Sequence, residues 1–196
     1  MNDSSQSASS SAPSTAHGSD SSPSASSALP ASLTTEEEAP ASHVEALARF
    51  LSTVDEGGSA FQSVAVAAVQ ILERVLCFER EATDAALSLG QQQKMQSMVD
   101  VASEATTLLR DALKAQGARV MHLCACPPPA ETREGLSWWD ALNDALGVLK
   151  EGTGRMTSLT TAQPEDSPAQ VLSFLIAQLL RSHRDALLVE AEEWMA

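Results

Sequence analysis

Tyrosine is absent from this chain of 196 residues, and aromatic residues make up only 4% of it. Its core therefore has to be built from Leu, Val and Ala, and small residues let helix axes approach closely. Basic residues are also scarce: 12 Lys and Arg stand against 26 Asp and Glu, a formal charge of −14. Phosphate backbones and anionic membranes both attract positive surfaces, so neither nucleic-acid binding nor electrostatic attachment to a membrane is expected. Cysteine is limited to Cys77, Cys124 and Cys126. An odd number shows no framework of paired bridges, and a reducing, cytoplasmic setting is the expectation that follows.

Other absences bear on targeting and catalysis. The first Lys or Arg is Arg49, so neither a secretory leader nor an arginine-bearing mitochondrial presequence is expected. In the longest apolar stretch Gln62, Gln70, Glu73 and Arg74 recur, and no membrane span is expected there. No Gly-x-Ser-x-Gly motif occurs, and Gly152-Thr153-Gly154 lacks the strand and Lys of a phosphate-binding loop. A di-iron centre in a helical bundle would need Glu-x-x-His pairs. The residues three before His17, His43, His122 and His183 are Ser14, Pro40, Arg119 and Leu180. Glu73 and Glu104 then read as boundary or surface residues. No side chain stands out as catalytic and no cofactor is implied, so a non-enzymatic protein is expected.

What is present divides the chain in two. Residues 1–41 are rich in Ser, Ala and Pro with almost no large apolar side chain. Such a segment cannot offset the entropy of ordering and is expected to be a disordered tail. It offers hydroxyls beside acidic groups or Pro for phosphorylation, and bears a weak likeness to export signals. Residues 42–196 are expected to form one helical domain.

Within that domain the apolar residues recur every three or four positions, the period of one helix face. HVEALARFLSTV, with Ser42 and Glu45 as a capping box, predicts a short first helix. Ser59 and Gln62 open a long second one, with Phe61, Ala65, Ala68, Leu72, Val75, Leu76, Ala82 and Ala86 on one face. From Val64 to Leu72 its opposite face is apolar too, so neighbours are expected on more than one side. Gly90 is a plausible stop, although one bent helix running through it fits as well. Met95, Met98, Ala102, Ala105, Leu109 and Ala112 predict the next helix, closed by Gly117. Three prolines, Pro127–Pro129, interrupt the pattern. Ser137 and Asp140 start a fourth helix whose face includes Trp138, Leu142, Ala145, Leu146 and Leu149, with a polar linker expected from Gly152 to Asp166. Ser167, Pro168 and Gln170 start the last, striped by Leu172, Leu175, Ile176, Leu179, His183, Leu187 and Ala191. No strand period appears. The fold class expected is all-α, an antiparallel bundle of four longer helices plus one short N-terminal helix.

The remaining candidates are few. His122, Cys124 and Cys126 alternate along the chain and could hold a soft metal, but the second ligand pair of a structural zinc site is missing. His183, on an apolar stripe, reads as a hydrogen-bonded core residue. Trp138 and Trp139 lie about 100° apart on a helix, so one should face inward and the other outward. With Trp194 they are the candidates for protein contact. The function expected is that of a helical adaptor or small subunit of a larger complex, binding protein partners or itself. The alternatives are a metal- or redox-linked protein using His122, Cys124 and Cys126, and a secreted bacterial substrate or its chaperone.

Overall fold

A computed structural model describes residues 40–55, 58–118 and 135–195. Residues 1–39 of the expected tail, the proline run, and His122, Cys124 and Cys126 lie outside the described residues, while Pro40 and Ala41, expected as the end of the tail, belong to the first helix. Five helices account for most of the rest: α1 (Pro40–Leu51), α2 (Gly58–Ala85), α3 (Leu89–Ala115), α4 (Trp138–Ala162) and α5 (Pro168–Met195). Among the described residues there is no strand. The fold is all-α, as its three- and four-residue apolar spacing predicts.

α2 packs against α3, α4 and α5, α4 pairs with α5, and α1 lies against α3 and α5. α2 thus has neighbours on several sides. Phe61, Ala65, Ala68 and Leu72 are fully buried, and Val64, Val69 and Ile71 from its other side are buried as well. The core that forms around it is made largely of Leu, Ala and Val, with Phe61 and Trp138 as its fully enclosed rings. α2 also contains an 18-residue window of mean hydropathy 1.5, long and apolar enough to cross a membrane, of which 61% is buried among the other helices. Its four polar residues interrupt that window less than the sequence suggested.

Two helices begin earlier than their capping boxes implied. α1 starts at Pro40, ahead of Ser42, and α2 starts at Gly58. Ser59 is therefore inside the first turn of α2, where its carbonyl accepts from the Ser63 hydroxyl at 2.9 Å.

α2 and α3 are separate helices, and Gly90 is not the stop between them. The break comes at Ala86–Ser88, because Ser88 and Gln91 form a reciprocal capping box. Ser88 Oγ accepts from the Gln91 N–H at 3.1 Å, and Gln91 Oε1 accepts from the Ser88 N–H at 3.1 Å. These bonds satisfy first-turn donors that would otherwise face away from any partner. At its far end α3 closes on Gly117, with φ +71°. The Gly117 N–H donates to Lys114 and the Ala118 N–H to Leu113, the paired bonds of a Schellman ending that favours glycine at this position.

α4 departs most from expectation. It does not end near Gly152 but runs to Ala162, so the expected linker shrinks to residues 163–167. Thr153 and Met156 are buried and continue the seam of Leu142, Ala145 and Leu149. Gly152 is where α4 passes closest to its neighbours. A Cβ there would lie 2.7 Å from Ile71 Cγ2 and 3.3 Å from Leu180 Cδ1. Glycine in a helix costs about 1 kcal/mol relative to alanine, and here that loss is offset by close packing on α2 and α5. α5 begins as expected, with Ser167 Oγ accepting from the Gln170 N–H at 3.2 Å.

Gly152 and its helical neighbours Gly147 and Gly154 should respond oppositely to substitution. Nothing lies within 4 Å of a Cβ at Gly147 or Gly154, so alanine at either should raise stability by about 0.5–1 kcal/mol. Gly152→Val should instead cost about 1–3 kcal/mol through overpacking. Urea unfolding of the three variants checks both signs, and a stabilising Gly152→Val would remove close packing as the reason for that glycine.

Candidate functional site

Side-chain polar contacts tie α2 to each of its long neighbours. Glu73 pairs with Arg110 of α3, and Arg74 Nη1 lies 2.8 Å from Glu151 Oε2 of α4. Deepest is Glu79, whose Oε1 is hydrogen-bonded to His183 Nδ1 of α5 at 2.7 Å, with the two side chains 0% and 1% exposed. The sequence placed His183 in the core with a hydrogen bond, and the structure agrees. Its partner was missed, although a signal existed. The α2 stripe passes from Leu76 to Ala82 with a gap, and Glu79 fills the helical position in that gap. Among the described residues Glu79 Oε2 and His183 Nε2 have no hydrogen-bond partner. With both side chains sealed from solvent, the pair is out of reach of a substrate. Its chemistry is confined to holding α2 and α5 in register.

The three tryptophans have different surroundings. Trp138 is 2% exposed and belongs to the core, so of the three it is the one withdrawn from any partner. Trp139 is half-buried, about 100° further round α4. It stacks on Trp194 with ring centroids 5.1 Å apart and an interplanar angle of 17°. The antiparallel α4–α5 pair makes this contact, because the second residue of α4 lies opposite the second-to-last residue of α5. Ser137 sets the start of α4, its Oγ accepting from the Asp140 N–H at 3.2 Å. Trp194 nevertheless remains 49% exposed.

Helix direction gathers further apolar surface at the same end. The Glu79–His183 pair and the 2.7 Å contact of Lys94 with Glu190 place the end of α2 and the start of α3 beside the last turns of α5. Among the described residues, the large apolar side chains left exposed there are Leu87, Leu89, Leu188, Val189, Trp194 and Met195, and Phe174 is exposed near the start of α5. Leu87 and Leu89 flank the Ser88 cap and were not singled out in the sequence. A cleft of about 160 Å³ near the middle of α2 and α4 is lined by Arg74, Glu151, Arg155 and the floor residues Ile71, Val148 and Gly152, and Glu151 already engages one of its two arginines.

Cys77, half-buried on α2, is disulfide-bonded. The expectation of cysteines without paired bridges is therefore corrected at this residue. The chain's other cysteines, Cys124 and Cys126, lie outside the described residues, as does the metal candidate they formed with His122. Among the described residues no group of three or more His, Cys, Asp or Glu side chains could hold a metal ion. Compared with known proteins, the chain matches no family model, no curated protein and no solved structure.

Two measurements follow. Removing one member of the buried pair, as in Glu79→Ala or His183→Ala, strands the other without a partner and should cost about 3–5 kcal/mol. The apolar double variant Glu79→Met/His183→Leu should recover most of that loss, since neither group is then stranded. A double-mutant cycle by denaturant unfolding reads the coupling, and additive losses would mean the pair is not a unit. For the bridge, alkylation of the unreduced, denatured chain followed by mass spectrometry should modify one thiol, three cysteines less the two in a bridge. Three modified thiols would show Cys77 to be free.

Proposed function

We propose that this chain is a non-enzymatic helical interaction protein, an adaptor or small subunit that joins a larger assembly through the end of the fold bearing Trp139 and Trp194. The observation that carries this is the Trp139–Trp194 stack, half open to solvent in a chain whose other tryptophan is buried. Stacking between the rings is worth about 0.5–1.5 kcal/mol. It also holds both side chains in place before a partner arrives, so less ordering entropy opposes binding. Tryptophan is enriched among the residues that dominate binding energy. Partner binding by helix-face burial is favoured over catalysis because the buried Glu79–His183 pair is out of reach of a substrate.

A second reading has one observation in its favour. The bridge at Cys77 supports an oxidising setting over the cytoplasmic one expected from cysteine number alone. Joined to the Ser-rich leader, it favours an exported protein that carries the same interaction surface outside the reducing compartment.

The test of the interaction role uses the full chain and its Trp194→Ala variant, matched for helicity by circular dichroism. Mass by light scattering reports self-association, and affinity capture from the source cells or their medium reports other partners. The expected result is a stoichiometric complex whose recovery falls at least about tenfold in the variant, the size of a hot-spot loss. Identical behaviour of the two proteins in both measurements would end the proposal.

A further inference from the structure

The charge at the tryptophan end indicates what its partner is made of. The exposed or half-buried charged residues of the last α2 turns, the first α4 turn and the last α5 turn are Arg80 against Glu81, Asp84, Asp140, Glu192 and Glu193. Among the described residues, the other nearby cations are already engaged, Lys94 by Glu190 at 2.7 Å and Arg184 by Asp185 at 2.8 Å. The end of the fold is therefore apolar and aromatic among carboxylates, within a chain that is itself strongly acidic. We infer that this end docks a cationic amphipathic helix, one that sets aliphatic side chains on the Trp139–Trp194 stack and lysines or arginines toward Glu81, Asp84, Asp140, Glu192 and Glu193. The inference rests on the interaction role proposed above and adds the chemistry of the partner.

Alternative occupants fit less well. A second copy would bring the same excess of carboxylates to its own counterpart, and like charges facing one another oppose association. An anionic bilayer would be repelled for the same reason. A basic helix meets each feature: its apolar face covers leucine and tryptophan, and its cations can lie over ring faces as well as beside carboxylates. Opposite charge also speeds encounter and makes binding sensitive to salt, with a screening length of about 10 Å at 0.1 M.

The test titrates the full chain with two synthetic helices of about five turns that share a leucine face, one with lysines on its polar face and one with glutamates. Tryptophan emission and the anisotropy of a labelled peptide are read together. The lysine peptide should bind saturably and shift the emission to shorter wavelength, and raised salt should weaken it. Trp194→Ala should lower its affinity at least about tenfold, Trp194→Phe should restore part of the loss, and Leu89→Gln, at a side chain 69% exposed, should weaken it without disturbing the fold. Equal binding of both peptides, binding of the lysine peptide that Trp194→Ala leaves unchanged, or no binding would each overturn the inference. So would preferential binding to phosphatidylcholine vesicles, with or without phosphatidylserine. If capture from cells depends on Trp194 while the lysine peptide does not bind, the partner's charge is wrong and the interaction role stands. If capture also fails, the role itself falls.

Discussion

α2 is apolar on more than one side from Val64 to Leu72, and covering that surface requires α3, α4 and α5 together. Burying each large aliphatic side chain is worth about 1.5–3 kcal/mol, so no arrangement that leaves α2 with a single neighbour can compete. The shortage of aromatic residues then decides how the cover is made. Small side chains such as Ala65, Ala68, Ala102, Ala105, Ala141 and Ala145 are buried at the helix contacts, and Gly152 lets α4 come closer than any Cβ would permit. Tight approach maximises the number of dispersion contacts that short side chains can make.

A core of this kind has a weakness. Alanine and leucine surfaces attract one another without direction, so helices that meet through them can slide by a turn at modest loss. The polar contacts of α2 remove that freedom, one for each long neighbour: Arg110 on α3, Glu151 on α4 and His183 on α5. They are unequal. The exposed Arg74–Glu151 pair adds at most about 1 kcal/mol. The Glu79–His183 pair, sealed from water, contributes little net stability relative to apolar residues but strongly penalises any register in which either group loses the other. Its worth lies in the arrangements it forbids.

Most of the fold was legible because burial imposes a period. The stripes of α2, α3 and α5 are nearly all buried at the positions their spacing indicates, with Ala86, Leu175 and Ala112 half-buried at the margins. The errors arose where one residue type carries two meanings. Gly90 and Gly152 both read as helix stops, yet one sits in a first turn beside a Ser88 cap and the other exists for close packing. Only the neighbouring helices distinguish these uses, and they are remote in sequence. Glu79 escaped notice because a carboxylate on an apolar stripe looks like an interruption until its histidine, 104 residues away, is placed beside it. Trp138 and Trp139 could be divided into inward and outward by helix geometry alone, whereas the stack of Trp139 on Trp194 depends on where two helices end.

The exposed end follows from the same constraint. With rings so few, enclosing two tryptophans at the meeting of α4 and α5 would need neighbours larger than the alanines and leucines that line this core. Trp138 is the tryptophan that fits inside, joining Phe61 in the core. Trp139 and Trp194 cover each other instead, which removes part of their surface from water and leaves the rest. Leu87 and Leu89 remain outside for a different reason. They flank Ser88, whose cap needs a sharp exit from α2, and among the described residues little covers them, leaving them 72% and 69% exposed. A fold that closes its middle with small residues thus leaves its larger ones at one end. The carboxylates around that end keep it solvated while deciding which partners can approach.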